Sequence, residues 1–595
     1  MRTSNHLLLG TTLLCVIAAA VASCGPTSST CEERGDCYNP CGDPAYAQKY
    51  PAACPDAGVG GTGGSSGTGG TGGTAGGAGS AGDAGEDGST GGTGGTAGEA
   101  GHDAGDAEAG DSGGEDGGDA EAEPYCDPAS TPDEDPCVIH DDHGVFVAPT
   151  GSDAAGCGTM ASPCATVARG LTEAKATGKR LYACGDGGTY EESLTLGASL
   201  DGLSVFGGFR CSDWSYAPGV VRTHLKPTGA QTALVVDGVT ALEVRDFAFE
   251  SGNATAAGTS SIAGTVRGAS GVVFMNTTFK AGDGAPGTDG TDGAPGEQVP
   301  VVSAAQAGVP STCGSTSANS GGAWLSAFQC AAGGSTRGGK GGDAGYEQPG
   351  QPGLAGTEIT NIQSAGMGEG GPGGTAATKA GKAGEAGSPG NAGGNGAAAT
   401  AGALSVSGYT PAHGADGTHG WPGQGGGGSG ASWSNTGCVG PSGGAGGLGG
   451  CGGFGGTKGT GGGASIGLLV WESGVTLQDC SVTAGAGGKG GDGGAGGAAS
   501  LGQLGATGGA TVHLNMEDAG KGGPGGNGGP GGSGSGGTGG PSYAVAHKGA
   551  APVQEGAVTL VNGSGGGKGV GGLASGGTKA PDGIEGPSGQ VAEVQ

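Results

Sequence analysis

The chain has 595 residues, of which 156 are glycine, only 4% are aromatic, and the net charge is −31. Average proteins contain about 7% glycine, so a chain this poor in large apolar side chains cannot fill an ordinary core along its whole length. The negative charge would repel phosphate, which excludes nucleic acid as an expected partner.

The N-terminus has the pattern of an export signal. A short positive start precedes a nearly continuous apolar stretch over residues 7–20, which is shorter than the ~20 residues that span a bilayer. The next four residues, Val21-Ala22-Ser23-Cys24, resemble the lipobox of bacterial lipoproteins. This resemblance implies a signal peptide over residues 1–23, a lipidated Cys24 and a membrane anchor. Gly25 in place of a retention signal favours the outer membrane or cell surface, whereas ordinary cleavage that leaves Cys24 for a disulfide is the alternative.

Two segments without an expected core follow the anchor. Residues 24–54 hold a cysteine cluster that lacks the CxxC spacing of zinc sites, so two local disulfides are expected there. Residues 55–124 contain no lysine or arginine and consist mostly of glycine, threonine, alanine and acids. This composition predicts a disordered, self-repelling tether, and at about 5–6 Å times the square root of its length it spans roughly 45 Å.

Residues 145–209 have a different character. Strand-like runs at residues 145–147, 181–183 and 203–205 flank a helical pattern that begins near Ser162-Pro163. The order of these pieces resembles the opening of right-handed parallel β-helix proteins of the pectin-lyase-like superfamily. The resemblance implies a β-helix cap and first rungs over residues 125–282.

Five short segments from residue 203 onward repeat one pattern, in which the first and third positions are apolar. Four of them follow a second strand-like run, at residues 233–236, 262–266, 466–470 and 543–546. The fifth position always holds a residue that tolerates a left-handed backbone, as a sharp bend between strands requires: Gly207, Asp246, Asn276, Asp479 and Asn562. The predicted fold class is therefore all-β, a right-handed parallel β-helix interrupted by glycine-rich insertions.

The glycine-rich insertions have a period of three. Residues 443–457 form five Gly-Gly-X triplets, and residues 487–498 and 522–533 form four each. This period matches the threefold polyproline II helix and its polyglycine counterpart, whose backbone groups need partners in neighbouring helices. We therefore expect packed polyglycine II helices in the insertion at residues 283–463 and among the further rungs at residues 464–595. Collagen and disorder are the alternatives; the interleaving of rungs and triplets also resembles glycine-rich PGRS-type proteins.

Seventeen cysteines in an exported chain predict disulfides. Cys15 leaves with the signal peptide and Cys24 is lipidated, so an odd number remains. A short turn separates Cys157 from Cys164 and suggests the pair Cys157–Cys164; neighbouring rungs suggest Cys184–Cys211. Three further pairs are looser expectations: Cys126–Cys137, Cys313–Cys330 and Cys438–Cys451. Cys480 is then left over as a buried thiol.

Catalytic and metal-binding motifs are weakly represented. His143 follows two acids ahead of the first rung, and His419 lies inside a glycine tract, so neither shares a rung with acids. Asp343 and Asp492 lie in segments that approach a calcium-binding glycine-aspartate nonapeptide but lack its large apolar residue. No catalytic, cofactor or metal site is therefore expected. Three tryptophans are either sugar-stacking platforms or packing anchors, with anchors favoured: Trp421, Trp433 and Trp471.

These features together predict a surface-displayed, lipid-anchored structural or adhesive protein without catalytic activity. Its partners are a membrane, through the anchor, and a polysaccharide or another cell surface. A polysaccharide-active or polysaccharide-binding β-helix protein is the first alternative, which acids and an arginine on one rung face would favour. An ice-binding glycine-rich protein is the second, which regularly spaced threonines on a flat face would favour.

Overall fold

The computed structural model describes residues 126–356, 368–434 and 437–594. The predicted signal peptide, Cys24, the cysteine cluster of residues 24–54 and the tether of residues 55–124 lie outside these ranges. All described residues belong to the unit formed by residues 117–595. Over these ranges the structure contains no helix with the length and apolar character needed to cross a membrane.

The first part of the unit combines two strands with one α-helix. Strand β1 (Gly144–Val147) pairs in parallel with β2 (Arg180–Cys184), and α1 (Val167–Thr177) connects them. The helix starts a few residues after the predicted Ser162-Pro163 signal, because the Thr166 side chain caps it by accepting from the Arg169 amide. Its buried residues recur at helical spacing, and they are Val167, Gly170, Leu171 and Ala174.

Most of the remaining strands form three parallel sheets, with strands numbered in chain order. Sheet A has seven strands: β1, β2, β4 (Ser204–Phe209), β7 (Leu242–Arg245), β10 (Val272–Met275), β19 (Val475–Gln478) and β22 (Val553–Glu555). Sheet B has five: β5 (Thr223–Leu225), β8 (Phe247–Ser251), β11 (Thr278–Ala281), β20 (Ser481–Thr483) and β23 (Thr559–Val561). Sheet C has six: β3 (Leu194–Gly197), β6 (Leu234–Asp237), β9 (Ser261–Arg267), β18 (Ser465–Trp471), β21 (Ser542–Lys548) and β24 (Ser588–Glu593).

The other described elements are short. Three antiparallel pairs are β12 (Thr312–Cys313) with β17 (Cys438–Val439), β13 (Phe328–Gln329) with β14 (Ser335–Thr336), and β15 (Ala403–Ser405) with β16 (Gly408–Thr410). Single turns of 3-10 helix occur at Pro136–Val138, Ala198–Leu200 and Ala304–Gln306.

Consecutive strands visit the three sheets in a fixed order. Five times the chain passes from sheet C to sheet A to sheet B, beginning with β3, β4 and β5 and ending with β21, β22 and β23. The strands of each sheet stack in register, so equivalent residues of successive repeats lie side by side. We call each such set of strands a three-strand repeat.

The apolar core is a set of side-chain stacks that run through these repeats. In sheet A, Val205, Val244, Phe274 and Leu477 are in register and buried. In sheet B, the rings of Phe249 and Phe279 stack with centroids 5.4 Å apart. The alternation of apolar positions in the sequence corresponds to these inward-facing side chains.

The sharp bend between sheets A and B uses the predicted left-handed residues in three of five cases. Asp246, Asn276 and Asp479 have φ angles of 57°, 48° and 53°. The side chains also interact across repeats, because the Asn276 amide donates to the Asp246 carboxylate. In the last of these repeats, the Asp479 carboxylate accepts from the Ala557 amide at 2.8 Å.

The predictions for Gly207 and Asn562 were wrong. The positive φ lies at Gly208, at 78°, because the register of β4 against β2 shifts there before Phe209 pairs with Cys184. The segment that ends at Asn562 belongs to sheet B rather than sheet A, since it forms β23 beside β20. Its sheet A counterpart is β22, where Gly556, with a φ of 65°, takes the bend position that Asp479 has in the preceding repeat.

The glycine-rich segments leave the three-strand repeats at one corner. Residues 282–464, 484–541 and 562–587 each connect a sheet B strand to the next sheet C strand. Since the repeats stack in register, the segments emerge side by side. We call the glycine-rich parts of these three segments the glycine bundle.

Hydrogen bonds with a period of three residues join the segments of the bundle. The amides of Gly287, Gly290 and Gly293 donate to the carbonyls of Lys489, Asp492 and Ala495 at 2.7–2.8 Å, so these two segments run in the same direction. The amides of Gly491, Gly494 and Gly497 donate to Thr460, Thr457 and Phe454, each at 2.8 Å, so this pair runs in opposite directions.

One segment, residues 520–540, lies at the centre of the bundle. Among the described residues, six other segments share backbone hydrogen bonds with it, and they lie within residues 384–396, 412–430, 444–462, 488–506, 566–572 and 581–584. Residues 520–533 bond to the first four of these segments, and residues 534–540 bond to the last five. The backbone groups of the central segment are therefore satisfied by other segments, as buried peptide groups require.

Glycine is required where these segments touch. A Cβ on Gly449 would lie 1.9 Å from the Gly423 carbonyl oxygen, and one on Gly528 would lie 2.1 Å from that of Cys451. The third residue of each triplet has room for a side chain. Leu448 and Cys451, at this position of successive triplets, are buried, and Phe454 in the next triplet is partly buried.

Five disulfides connect the described cysteines, and three of the pairs are those that the sequence suggests: Cys126–Cys137, Cys157–Cys164 and Cys184–Cys211. The predictions Cys313–Cys330 and Cys438–Cys451 were wrong, because Cys313 bonds to Cys438 and Cys330 bonds to Cys451. The antiparallel pairing of β12 with β17 places Cys313 opposite Cys438. Cys480 is a free, buried thiol that hydrogen-bonds to the Phe274 carbonyl, and burial raises its pKa to about 11.

We expect Gly449→Val to destabilise the bundle by at least the ~1–3 kcal/mol typical of overpacking, because the new side chain would collide with the Gly423 backbone. Leu448→Ala should cost less. Gly567→Val is the matched control, since a Cβ there would meet only Lys489 Cγ at 3.8 Å. Denaturant unfolding and protease sensitivity measure these effects; equal stability of Gly449→Val and Gly567→Val would contradict the packing.

Peptide mapping without reduction should recover Cys313 linked to Cys438 and Cys330 linked to Cys451. Cys480 should resist alkylation in the folded protein and react after denaturation, since the thiol is buried and mostly protonated at neutral pH. A peptide that joins Cys313 to Cys330, or Cys480 to any other cysteine, would contradict this connectivity.

Candidate functional site on the glycine bundle

Side chains on the edges of the bundle accept hydrogen bonds from backbone amides of adjacent segments. Asp289 and Asp292 accept from the amides of Asp492 and Ala495, at 2.7 Å in both cases. In the interior, Ser500 accepts from the Cys451 amide, also at 2.7 Å. The non-glycine residue of a triplet thus satisfies an amide that the neighbouring backbone leaves open.

The two candidate calcium segments use their aspartates in this way. Asp343 accepts from the Gly321 amide at 2.7 Å and pairs with Lys340 at 2.7 Å. Asp492 accepts from the Val570 amide at 2.8 Å and pairs with Lys489 at 2.9 Å. In each case a lysine one triplet earlier neutralises the carboxylate. The partners of these two carboxylates are therefore a lysine and a backbone amide, and both segments lack the large apolar residue of the calcium-binding nonapeptide.

A third Lys-x-x-Asp pair occurs at Lys579 and Asp582, where the distance is 2.6 Å and the carboxylate accepts from the Gly571 amide at 2.9 Å. The hydrogen bond from Lys579 holds the pKa of Asp582 well below its usual range. The Val570 amide likewise lowers the pKa of Asp492. In each pair, an ionised carboxylate accepts a backbone amide and also pairs with a lysine of its own segment.

Histidines and an aspartate form a similar row along residues 413–419. The Nδ1 atoms of His413 and His419 accept from the amides of Gly461 and Gly455 at 3.0 and 2.9 Å. Asp416, between them, accepts from the Lys458 amide at 2.8 Å. His419, one of the two histidines considered for catalysis, thus bonds one segment of the bundle to another, and its ring centroid lies 5.1 Å from that of Phe454.

The other catalytic candidate lies before the three-strand repeats. Asp141 accepts from the Met160 amide at 2.8 Å, and His143 lies 3.9 Å from the Sγ atom of Cys126, which is disulfide-bonded. Asp142 pairs with His140 at 3.2 Å. Of these four residues, Asp141 contacts the local backbone, His143 lies beside a disulfide, and Asp142 and His140 pair with each other.

The tryptophans have different surroundings. Trp471 ends β18, and the Lys548 ammonium lies 5.2 Å from its ring centroid. The Trp433 backbone amide donates to Lys379 at 2.8 Å, and its side chain is half-buried. Trp421 is also half-buried and lines an open groove with Thr418 and His419. Trp471, whose ring packs beside a buried apolar cluster on sheet C, fits the anchor interpretation.

Exposed threonines occur as two bonded pairs on adjoining segments. The hydroxyls of Thr288 and Thr460 are 3.0 Å apart, and those of Thr291 and Thr457 are 3.1 Å apart. The hydroxyls of Thr460 and Thr457 also accept from the amides of Thr288 and Thr291. These side chains therefore bond one segment to the next while remaining at the surface.

Clusters of possible metal ligands in the described ranges all contain a disulfide. Their donor atoms lie within 4.8 Å of one another, but a disulfide-bonded sulfur cannot act as the thiolate ligand that a metal prefers. The three clusters are Cys126–Cys137 with Asp135, Cys157–Cys164 with Asp153, and Cys313–Cys438 with His513.

One cavity lies beside the outer face of sheet C, and the sequence alone does not predict it. The hairpin β15–β16 supplies Leu404 and Tyr409, β21 supplies Tyr543, and β24 supplies Ala592 and Glu593. The hairpin has a sequence signal, because Ser405-Val406-Ser407-Gly408 separates two residues that pair across it. Its proximity to β24, almost two hundred residues later, has no local signal.

No protein-family model matches the chain, and neither a curated protein nor a solved structure is found to be similar to it.

Acid should weaken the contacts made by Asp492 and Asp582. Their pKa values are lower in the folded chain than the usual value of about 3.9, so their stabilising contribution is present above that pH and is lost as the pH falls towards the folded pKa values. We expect the double variant Asp492→Asn/Asp582→Asn to be less stable than the parent at neutral pH and to lose less stability between ~pH 5 and ~pH 2. Both carboxylates are partly exposed to solvent, so the effect should be modest.

Urea unfolding at a series of pH values measures this difference. Glu517→Gln, at an exposed loop acid, is the control and should follow the parent curve. Parallel pH profiles for the parent and the double variant would show that the two carboxylates do not need their charge.

Proposed function

We propose that this chain is a lipid-anchored structural or adhesive protein of a bacterial outer membrane or cell surface, without catalytic activity. In this proposal the three-strand repeats form a right-handed parallel β-helix of the kind found in the pectin-lyase-like superfamily, and the glycine bundle consists of polyglycine II helices. The observation that carries the proposal is the bundle itself, a block of backbone in which segments bond to neighbours on several sides.

Two physical properties of the bundle support a structural role. Its interior is filled by backbone contacts at distances that only glycine permits, so the shape is fixed by main-chain geometry. Its long-range disulfides, Cys313–Cys438 and Cys330–Cys451, close loops of 125 and 121 residues. Loops of that length give a stabilisation of about 4–5 kcal/mol in the chain-entropy model, and disulfides persist in the oxidising environment outside the cytoplasm.

The charged and polar groups also support this role over a polysaccharide-active one. Of the groups that suggested calcium binding, Asp343 and Asp492 accept backbone amides and pair with lysines. Of those that suggested catalysis, Asp141 and His419 accept backbone amides, and His143 lies beside a disulfide. A general acid or base must be within hydrogen-bond reach of the substrate proton that it transfers, whereas these groups hydrogen-bond or pair within the protein. Release of oligosaccharides from acidic polysaccharides by the purified chain would contradict the proposal and support the enzyme.

The anchor is tested by Cys24→Ala. The parent should fractionate with membranes and incorporate a labelled fatty acid, whereas the variant should lose the label and leave the membrane fraction, because the acylated sulfur is missing. Cys15→Ala is the matched control, since Cys15 is removed with the predicted signal peptide and its loss should change neither property. A Cys24→Ala protein that labels and fractionates like the parent would overturn the anchor.

Surface display and adhesion need a separate measurement. Protease added to intact cells should cleave the parent, and the purified chain should bind in a panel of glycans or whole cells if the role is adhesive. Protection from protease on intact cells would place the chain on the inner side of the membrane and contradict display; display without binding would leave the structural role alone.

A further inference from the structure

The cavity beside sheet C has a mixed apolar and aromatic lining. It measures about 230 Å³ and is walled by β15–β16, by β21, by the end of β24 and by residues 584–587 of the bundle. Drug-sized ligands occupy cavities of about 300–1,000 Å³, so this one suits a smaller molecule. Its apolar and aromatic lining residues are Leu404, Tyr409, Tyr543, Ile584, Ala592 and Val594, with smaller residues between them.

The two tyrosines are held in place by packing. Tyr409 and Tyr543, with Leu404 and Val594, contact a buried cluster on the outer face of sheet C formed by Ile262, Ala464, Ile466, Leu469 and Ala546. Leu404 and Tyr409 pair directly across the β15–β16 hairpin. Burial raises the pKa of both tyrosines, so their rings stay uncharged at neutral pH. The aromatic wall is thus a fixed surface.

The charge of the cavity has one sign. Glu585 and Glu593 belong to its lining, and both are exposed at the rim, whereas its lining contains no lysine, arginine or histidine. The chain as a whole carries a net charge of −31, which adds a long-range attraction for cations and repulsion for anions. An anionic ligand is therefore disfavoured, and a neutral one would gain nothing from the two carboxylates.

We propose that this cavity binds a small aliphatic ammonium ion, with its alkyl groups against the tyrosines and leucine and its charge facing Glu585 and Glu593. Aromatic faces attract such cations through the ring quadrupole, and quaternary ammonium groups are recognised in this way. The carboxylates at the rim supply the opposite charge. Ligand binding at this site does not require the proposed anchor or adhesive role, although Thr538, Gly539 and residues 584–587 of the bundle contribute to its wall.

Choline is the probe for the full-length chain, measured by isothermal titration calorimetry. The matched ligand is 3,3-dimethyl-1-butanol, which has the shape of choline without its charge. We expect saturable choline binding and an affinity for the neutral compound that is lower by roughly three- to thirtyfold, the range of cation–π energies expressed as a ratio. Equal affinities would show an apolar cavity without cation selectivity, and no saturable binding at millimolar choline would overturn the site.

Variants separate the two parts of the proposal. Glu585→Gln/Glu593→Gln removes the rim charges at exposed positions and should weaken choline binding without changing that of the neutral compound. Tyr543→Leu should weaken choline binding by roughly the same ratio, and Tyr543→Phe should retain it because the ring remains. Glu555→Gln, an exposed acid on β22 outside the lining, is the control. Unchanged choline affinity in the double glutamine variant and in Tyr543→Leu would contradict the assignment.

Discussion

The structure depends on one contact, that between the backbone of one glycine segment and the carbonyl of the next. Where two segments touch, a Cβ would stand about 2 Å from a carbonyl oxygen, as at Gly449 and Gly528. Side chains are therefore confined to one position of each triplet, and the interior of the bundle is made of amides and carbonyls. Hydrogen bonds take the place that apolar side chains hold in an ordinary core.

This choice has an energetic consequence. Each backbone hydrogen bond contributes only about 0.5–1.5 kcal/mol net, while glycine loses more conformational entropy on folding than any other residue. An isolated segment would not hold its shape, because its amides and carbonyls bond to other segments. The three-strand repeats offset this cost by releasing every segment at the same corner, and the two long-range disulfides shorten the loops that must be closed. The apolar stacks of the repeats, such as Phe249 on Phe279, supply the burial that the bundle lacks.

The composition of the surface follows from the same contact. A segment at the edge of the bundle presents amides without a backbone partner, and aspartate, threonine or histidine on the adjoining segment accepts them. Many of the polar residues on the bundle surface thus stabilise contacts between segments. The cavity beside sheet C differs, because its carboxylates line an aromatic wall, and this distinguishes it from the acidic rows on the bundle.

Much of the local structure was determined by the sequence itself. The alternation of apolar residues predicted the strands of the repeats, the aspartates and asparagine at residues 246, 276 and 479 marked the bends, and the triplet period indicated segments that need partners. Each of these features depends on residues that are close along the chain. Strands follow from the alternation of apolar residues, bends from residues that tolerate a left-handed backbone, and the glycine segments from a period of three residues. The bend at Gly208 rather than Gly207, the sheet of β23 and the partners of Cys313 and Cys330 were decided only by the tertiary structure. They depend on which distant segments lie side by side, and Gly-Gly-X triplets that are alike in sequence carry no information about which of their copies will pair.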